Sequence, residues 1–179
     1  GGHADVVALY IERGAELGGP NPETGWTPLH TAAAADAPEL VTLLTKQIAP
    51  DTPDAEGKTP LHIAAELDSS AAAEALFQGG ADLNARGPGG KRPLHFAVKS
   101  ANSAVLFQLL ELGADPAASD DLGYAPLHAA IGLHNRQVLN TLTQPGLPVS
   151  EPGPAGNTPL HVAMKGGRKY TIQILRSRH

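Results

Sequence analysis

Two kinds of apolar segment alternate along the chain. The first opens Pro-Leu-His and runs on into small or branched residues, as in PLHTAAAA from Pro28 and PLHIAAEL from Pro60. Its leucine is placed inward, and Ala32-Ala33, Ala64-Ala65, Ala97 and Ala129-Ala130 let neighbouring helices approach at the near end of the usual ~8–10 Å interaxial range. The second comprises LVTLL, ALF, VLFQLL, VLNTL and TIQIL, whose apolar positions recur at helical spacing. Alternation of the two predicts pairs of short helices, each pair holding half a core.

The punctuation between the segments is equally regular. GWTPLH, GKTPLH, GKRPLH, GYAPLH and GNTPLH begin at Gly25, Gly57, Gly90, Gly123 and Gly156, and their histidines are separated by 32, 33, 33 and 33 residues. Glycine supplies a positive φ at a tight turn, threonine is expected to cap the next helix through its hydroxyl, and proline takes the first helical position, where no amide donor is needed. Arg92 and Ala125 stand where the other copies have threonine. Ala125 therefore loses a cap worth roughly 1 kcal/mol.

A period of 33 carrying this hexapeptide resembles the ankyrin repeat over essentially the whole chain. The resemblance implies an all-α solenoid of antiparallel helix pairs joined by β-hairpin-like turns, in one domain. The expected units are a partial repeat at 1–24, repeats at 25–56, 57–89, 90–122 and 123–155, and a C-terminal repeat at 156–179. Gly2 to Ile11 would be a second helix lacking its first, with Val6, Val7 and Ile11 on an uncovered side. Lys165, Arg168, Lys169, Arg176 and Arg178 would give the last repeat a solvated exterior. GGADLNAR and LGADPAAS resemble the family's glycine-closed turn, whereas IAPDTPDAE (48–56) and the four-proline QPGLPVSEPGPAG (144–156) depart from it and are expected to be irregular and stiff.

Composition narrows the chemistry. Aromatics make up 4% of the 179 residues, which suits close-packed helices better than sandwiches or barrels. Cysteine is absent, so no disulfide framework, thiol nucleophile or thiolate metal site is available. A formal charge of −5 disfavours nucleic acid as a partner, and no 18-residue apolar run is present for membrane insertion. The Gly57-Lys58-Thr59 triplet is not a phosphate loop: Thr52 occupies the position of the required first glycine, Asp54 and Glu56 would repel a triphosphate, and Pro60 follows at once.

Eight histidines invite a metal reading. Five of them sit on successive units about 10 Å apart, whereas zinc ligands lie about 2 Å from the ion. The resemblance implies a structural role for these five, each ring bonded to the capping threonine and to backbone of an adjacent turn; His134 and His179 are isolated. No catalytic residue, metal or cofactor is expected, since Ser69, Ser70, Ser100 and Ser103 lack a nucleophile motif and the carboxylates are scattered.

Attention moves to side chains that the framework does not require. In this architecture the residue after the turn glycine projects from a fingertip: Trp26, Lys58, Lys91, Tyr124 and Asn157. The concave groove would be lined by Ala34-Ala35, Glu66-Leu67, Lys99-Ser100, Gly132-Leu133 and Lys165-Gly166. Trp26 and Tyr124 are the expected anchors, because indoles and phenols are enriched in interface hot spots, with Leu67 and Leu133 beside them. The expected function is non-catalytic recognition of another protein; the alternative is a targeting or regulatory arm of a larger enzyme. A monomer, or part of a longer chain, in an intracellular, cytoplasmic setting is expected. Asn84, in the context ADLN, also resembles a substrate of an asparaginyl hydroxylase.

Overall fold

The computed structural model describes residues 19–100, 103–133 and 135–178, together with Leu9 and Arg13. Apart from Leu9, the expectations for Gly2 to Ile11 lie outside the described residues, as do those for His134 and His179. From Pro28 onward the described residues form ten α-helices in order: α1 Pro28–Ala34, α2 Pro38–Leu44, α3 Pro60–Leu67, α4 Ser70–Gln78, α5 Pro93–Ala97, α6 Ala104–Glu111, α7 Pro126–Gly132, α8 Arg136–Leu142, α9 Pro159–Lys165 and α10 Lys169–Ser177. No strand occurs among the described residues.

Helices of five to nine residues are too short to persist alone, because nucleation fixes several dihedrals for one hydrogen bond. They are held by stacking. The odd-numbered helices pack in sequence, α1 on α3, α3 on α5, α5 on α7 and α7 on α9, and α2, α4, α6 and α8 form a parallel second layer. Leu29, Leu61, Leu94 and Leu127, four of the five leucines of the repeated motif, are buried between layers, and Leu160 of the last copy is half-buried. Ala33, Ala64, Ala65, Ala97 and Ala130 are buried as well, which is the close approach that the alanines predict; Ala129 instead faces solvent.

The five turn glycines all have positive φ, from 69° at Gly90 to 85° at Gly57. At Gly25 the need is also steric, since a Cβ there would lie 2.4 Å from the Ala55 nitrogen. That approach lets the Ala55 amide donate to the Thr24 carbonyl of the preceding finger at 3.1 Å. Each finger is closed by a cross-turn bond, such as Asp54 N to Lys58 O at 2.8 Å and Asp120 N to Tyr124 O at 3.0 Å, with a tighter turn bond inside it, such as Gly57 N to Asp54 O at 3.0 Å. The turns are hairpin-like without a ladder.

The threonine hydroxyl does not cap the helix amides as the sequence suggests. Thr27 Oγ1 lies 2.9 Å from His30 Nδ1, and the Thr27 amide donates to the same nitrogen at 3.1 Å. His30 Nε2 reaches the Lys58 carbonyl of the next repeat at 3.0 Å. A carbonyl only accepts, so Nε2 carries the proton and Nδ1 accepts both threonine bonds. The ring thus ties a helix start to its neighbour's fingertip. His62 repeats the arrangement with Thr59 and the Lys91 carbonyl. His95 and His128 keep the amide bond to Arg92 and Ala125, and donate to the carbonyls of Tyr124 and Asn157, without a hydroxyl.

Protonation would place a hydrogen on Nδ1 against two donors. Burial, the largest cause, pushes the His30, His62 and His95 imidazoles below their ordinary 6.5. Groups that bind protons less readily when folded favour the folded state most above their unfolded pKa. Stability should therefore be full above about pH 6.5 and decline as the pH falls through the folded values, a window opening above the ordinary carboxylate range near 4. Urea midpoints measured from pH 7.5 to 5 test this; a flat profile would show that the rings titrate freely.

A second set of ties joins the outer layer. Asp36 and Asp68 adopt left-handed φ of 49° and 59° at the turn between their two helices. Their Oδ1 atoms accept the amides of Ala72 and Val105, at the starts of α4 and α6 in the following repeats, at 2.8 and 3.0 Å. Asp51 accepts the Asp82 amide, and Asn84 Oδ1 accepts the Asp115 amide at 2.9 Å. The ADLN asparagine is thus a repeat-to-repeat connector.

Candidate recognition surface

The Thr24–Thr27 finger and the C-terminal half of α3 face each other across a cleft of about 390 Å³. Trp26, Lys58, Glu66 and Leu67, four of the residues singled out from the sequence, line it together with Ile63, Glu23 and Glu56. The Trp26 indole is half-buried and stacks on His30, with ring centroids 6.2 Å apart and planes 24° from parallel. The histidine tie thereby supports the fingertip aromatic. Leu67 closes α3 with 56% of its surface exposed, although the framework does not need an apolar residue there.

Lys58 is the cation of this cleft. Its ammonium lies 2.8 Å from Glu66 and 3.4 Å from Glu56, with 5.6 Å to the Phe96 ring centroid. The hydrogen bond to Glu66 is the first cause holding its pKa above the ordinary lysine value. Asp54 is buried and accepts the Glu56 and Lys58 amides at 2.9 Å, so its charge serves the finger's own backbone.

The next recess, of about 320 Å³, is lined by Tyr124, Lys91, Lys99, Asp120 and Leu122. Tyr124 packs edge-on against His128 at 6.0 Å, so a motif histidine supports this aromatic too, in a different geometry from the Trp26 stack. Lys99 Nζ lies 5.6 Å from the Phe96 centroid. Sequence reasoning missed Leu122, which is 70% exposed beside Tyr124; its signal was an apolar residue immediately before a turn glycine. Ser100 departs from expectation, being buried with its hydroxyl donating to the Ala97 carbonyl at 2.9 Å.

Leu133 belongs to a third depression of about 370 Å³, with Ile131, Arg136, Arg168, Lys169 and Tyr170. There the Arg136 guanidinium lies 4.4 Å from the Tyr170 ring centroid. Asn157 stands apart, exposed and bonded through Nδ2 to its own turn at Pro154 O, 2.9 Å away. Charge divides accordingly. Residues 122–179 hold six Lys or Arg against Glu151 alone, while residues 1–121 hold seven against seventeen carboxylates.

Among the described residues, no group of three His, Asp or Glu is placed to hold a metal ion, and no helix is long and apolar enough to cross a membrane. The surface offers aromatic and aliphatic anchors ringed by charge, supported from below by fixed hydrogen bonds.

Comparison with known proteins agrees with the repeat geometry. An 85-residue stretch, 46% of this chain, is 36% identical to neurogenic locus notch homolog protein 1 of Xenopus tropicalis, of which it spans 3%. The chain therefore matches only a small part of that protein's length. A family model described as ankyrin repeats (3 copies) matches residues 1–87 and 94–179. Ankyrin repeats are generally protein–protein interaction modules and typically non-catalytic. With helix pairs, positive-φ turn glycines and a family match over nearly every residue, the chain belongs to the ankyrin-repeat family.

Proposed function

We propose that this chain recognises a protein partner through its fingertips and the groove beside them, without performing chemistry. The cleft at Trp26 carries the reading: an indole on a braced finger faces an exposed Leu67 on a neighbouring repeat, with charged groups at the rim. Stacked repeats hold these groups in place before a partner arrives, so little ordering entropy is lost on association. Affinity then rests on a few anchors.

Trp26 and Tyr124 are the anchors of this reading. Trp26→Ala should weaken partner binding by more than about 1 kcal/mol while leaving the melting temperature nearly unchanged, and Tyr124→Ala should do the same. Calorimetric titration of a selected partner, alongside thermal melts, separates the two effects. An equal loss of stability with unaltered affinity would assign the aromatics to packing alone.

A further inference from the structure

We infer that the Trp26 cleft receives a cationic side chain, best a guanidinium, from an extended segment of the partner; this rests on the recognition reading above. The rim carries Glu23, Glu56 and Glu66, against which the cleft sets the single ammonium of Lys58. That ammonium is already engaged by Glu66 and Glu56, and only 18% of the Lys58 side chain is exposed. Glu56 keeps 72% of its side chain open, and Glu23 is exposed. Carboxylate oxygens accept up to about four hydrogen bonds, so one contact to Lys58 leaves room for an incoming donor.

The aromatic wall adds a preference for cation over neutral donor. A cation over an indole face is attracted by the ring quadrupole, and a guanidinium can stack there while its edge reaches carboxylates. Leu67 offers exposed apolar surface for the methylene stem, above the buried Ile63. A carboxylate in the same place would meet three like charges. The excess of acidic residues over 1–121 extends this preference beyond the cleft, and the basic residues of 122–179 disfavour a cation at the opposite end.

Trp26 is the only tryptophan, so its emission reports on this cleft directly. A library of amidated dodecapeptides is selected on the intact chain, and binders are titrated against Trp26 emission. The expected result is a consensus arginine or lysine, at least tenfold weaker binding when that arginine becomes citrulline, and a similar loss with a Glu23→Gln/Glu56→Gln variant of unchanged melting temperature. Binders that alter Trp26 emission yet bind equally well with citrulline overturn the cation inference and leave groove recognition standing. Binders whose affinity, measured by calorimetry, is indifferent to Trp26→Ala, or none at all, overturn both.

Discussion

His62→Ala is expected to lower stability by about 3 kcal/mol, or roughly 10 °C in melting temperature for a chain of this size. The ring is fully buried, accepts from the Thr59 amide and hydroxyl, and donates to the Lys91 carbonyl at 3.0 Å. Alanine leaves all three groups without their partner in a site too crowded for easy repair. Gly87 sits so near that a Cβ there would fall 2.7 Å from Nε2. Each buried polar group left unsatisfied costs about 1–3 kcal/mol, partly recovered where water enters. His161 provides the control: its ring is exposed, and the bonds it makes run to Thr158 of its own repeat. His161→Ala should cost under about 1 kcal/mol. Urea unfolding of the two variants settles the matter, and equal losses would deny that the interior ring couples repeats.

Leu61→Ala should be comparably severe, at about 3 kcal/mol within the 2–5 kcal/mol span of such truncations. Leu61 has no exposed surface, and α3 is packed on one side by α1 and on the other by α5. In a stacked array, stability is approximately a sum of unit terms and nearest-neighbour interfaces. One cavity at α3 weakens two interfaces at once. Leu160 occupies the matching position in α9 but is only half-buried, and Leu160→Ala should cost nearer 1 kcal/mol. Hydrogen exchange would show protection lost first in the helices flanking α3. A Leu160 effect as large as that of Leu61 would contradict this account.

Both predictions begin from what a reader of the sequence could see. Gly-x-Thr-Pro-Leu-His repeated in phase marks a positive-φ turn, a helix start and a buried leucine, all consequences of backbone stereochemistry within six residues. The buried alanines were legible for the same reason: only small side chains permit close helix contact, and they recur where contact is needed. The destination of the threonine hydroxyl was legible only through the family resemblance, which placed it on the histidine ring; the local pattern alone left it open. A hydroxyl three residues before a histidine can serve a helix amide or the ring, and only the orientation of the imidazole toward the next fingertip selects the ring.

The candidate site divides in the same way. Trp26 and Leu67 stood out as large apolar residues that a repeat does not require. Their meeting across one cleft, with Lys58 bridged to Glu66 eight residues away, depends on how α3 packs against the preceding finger. Asp36 and Asp68 each follow their turn glycine by eleven residues, a match the sequence reading did not single out, and their caps land on Ala72 and Val105, more than thirty residues on. Turns, helix starts and inward faces follow from interactions within one turn of chain, so local residue order was sufficient for them. Which side chains cross between units, and which stay open to a partner, follows from stacking geometry that no single repeat contains.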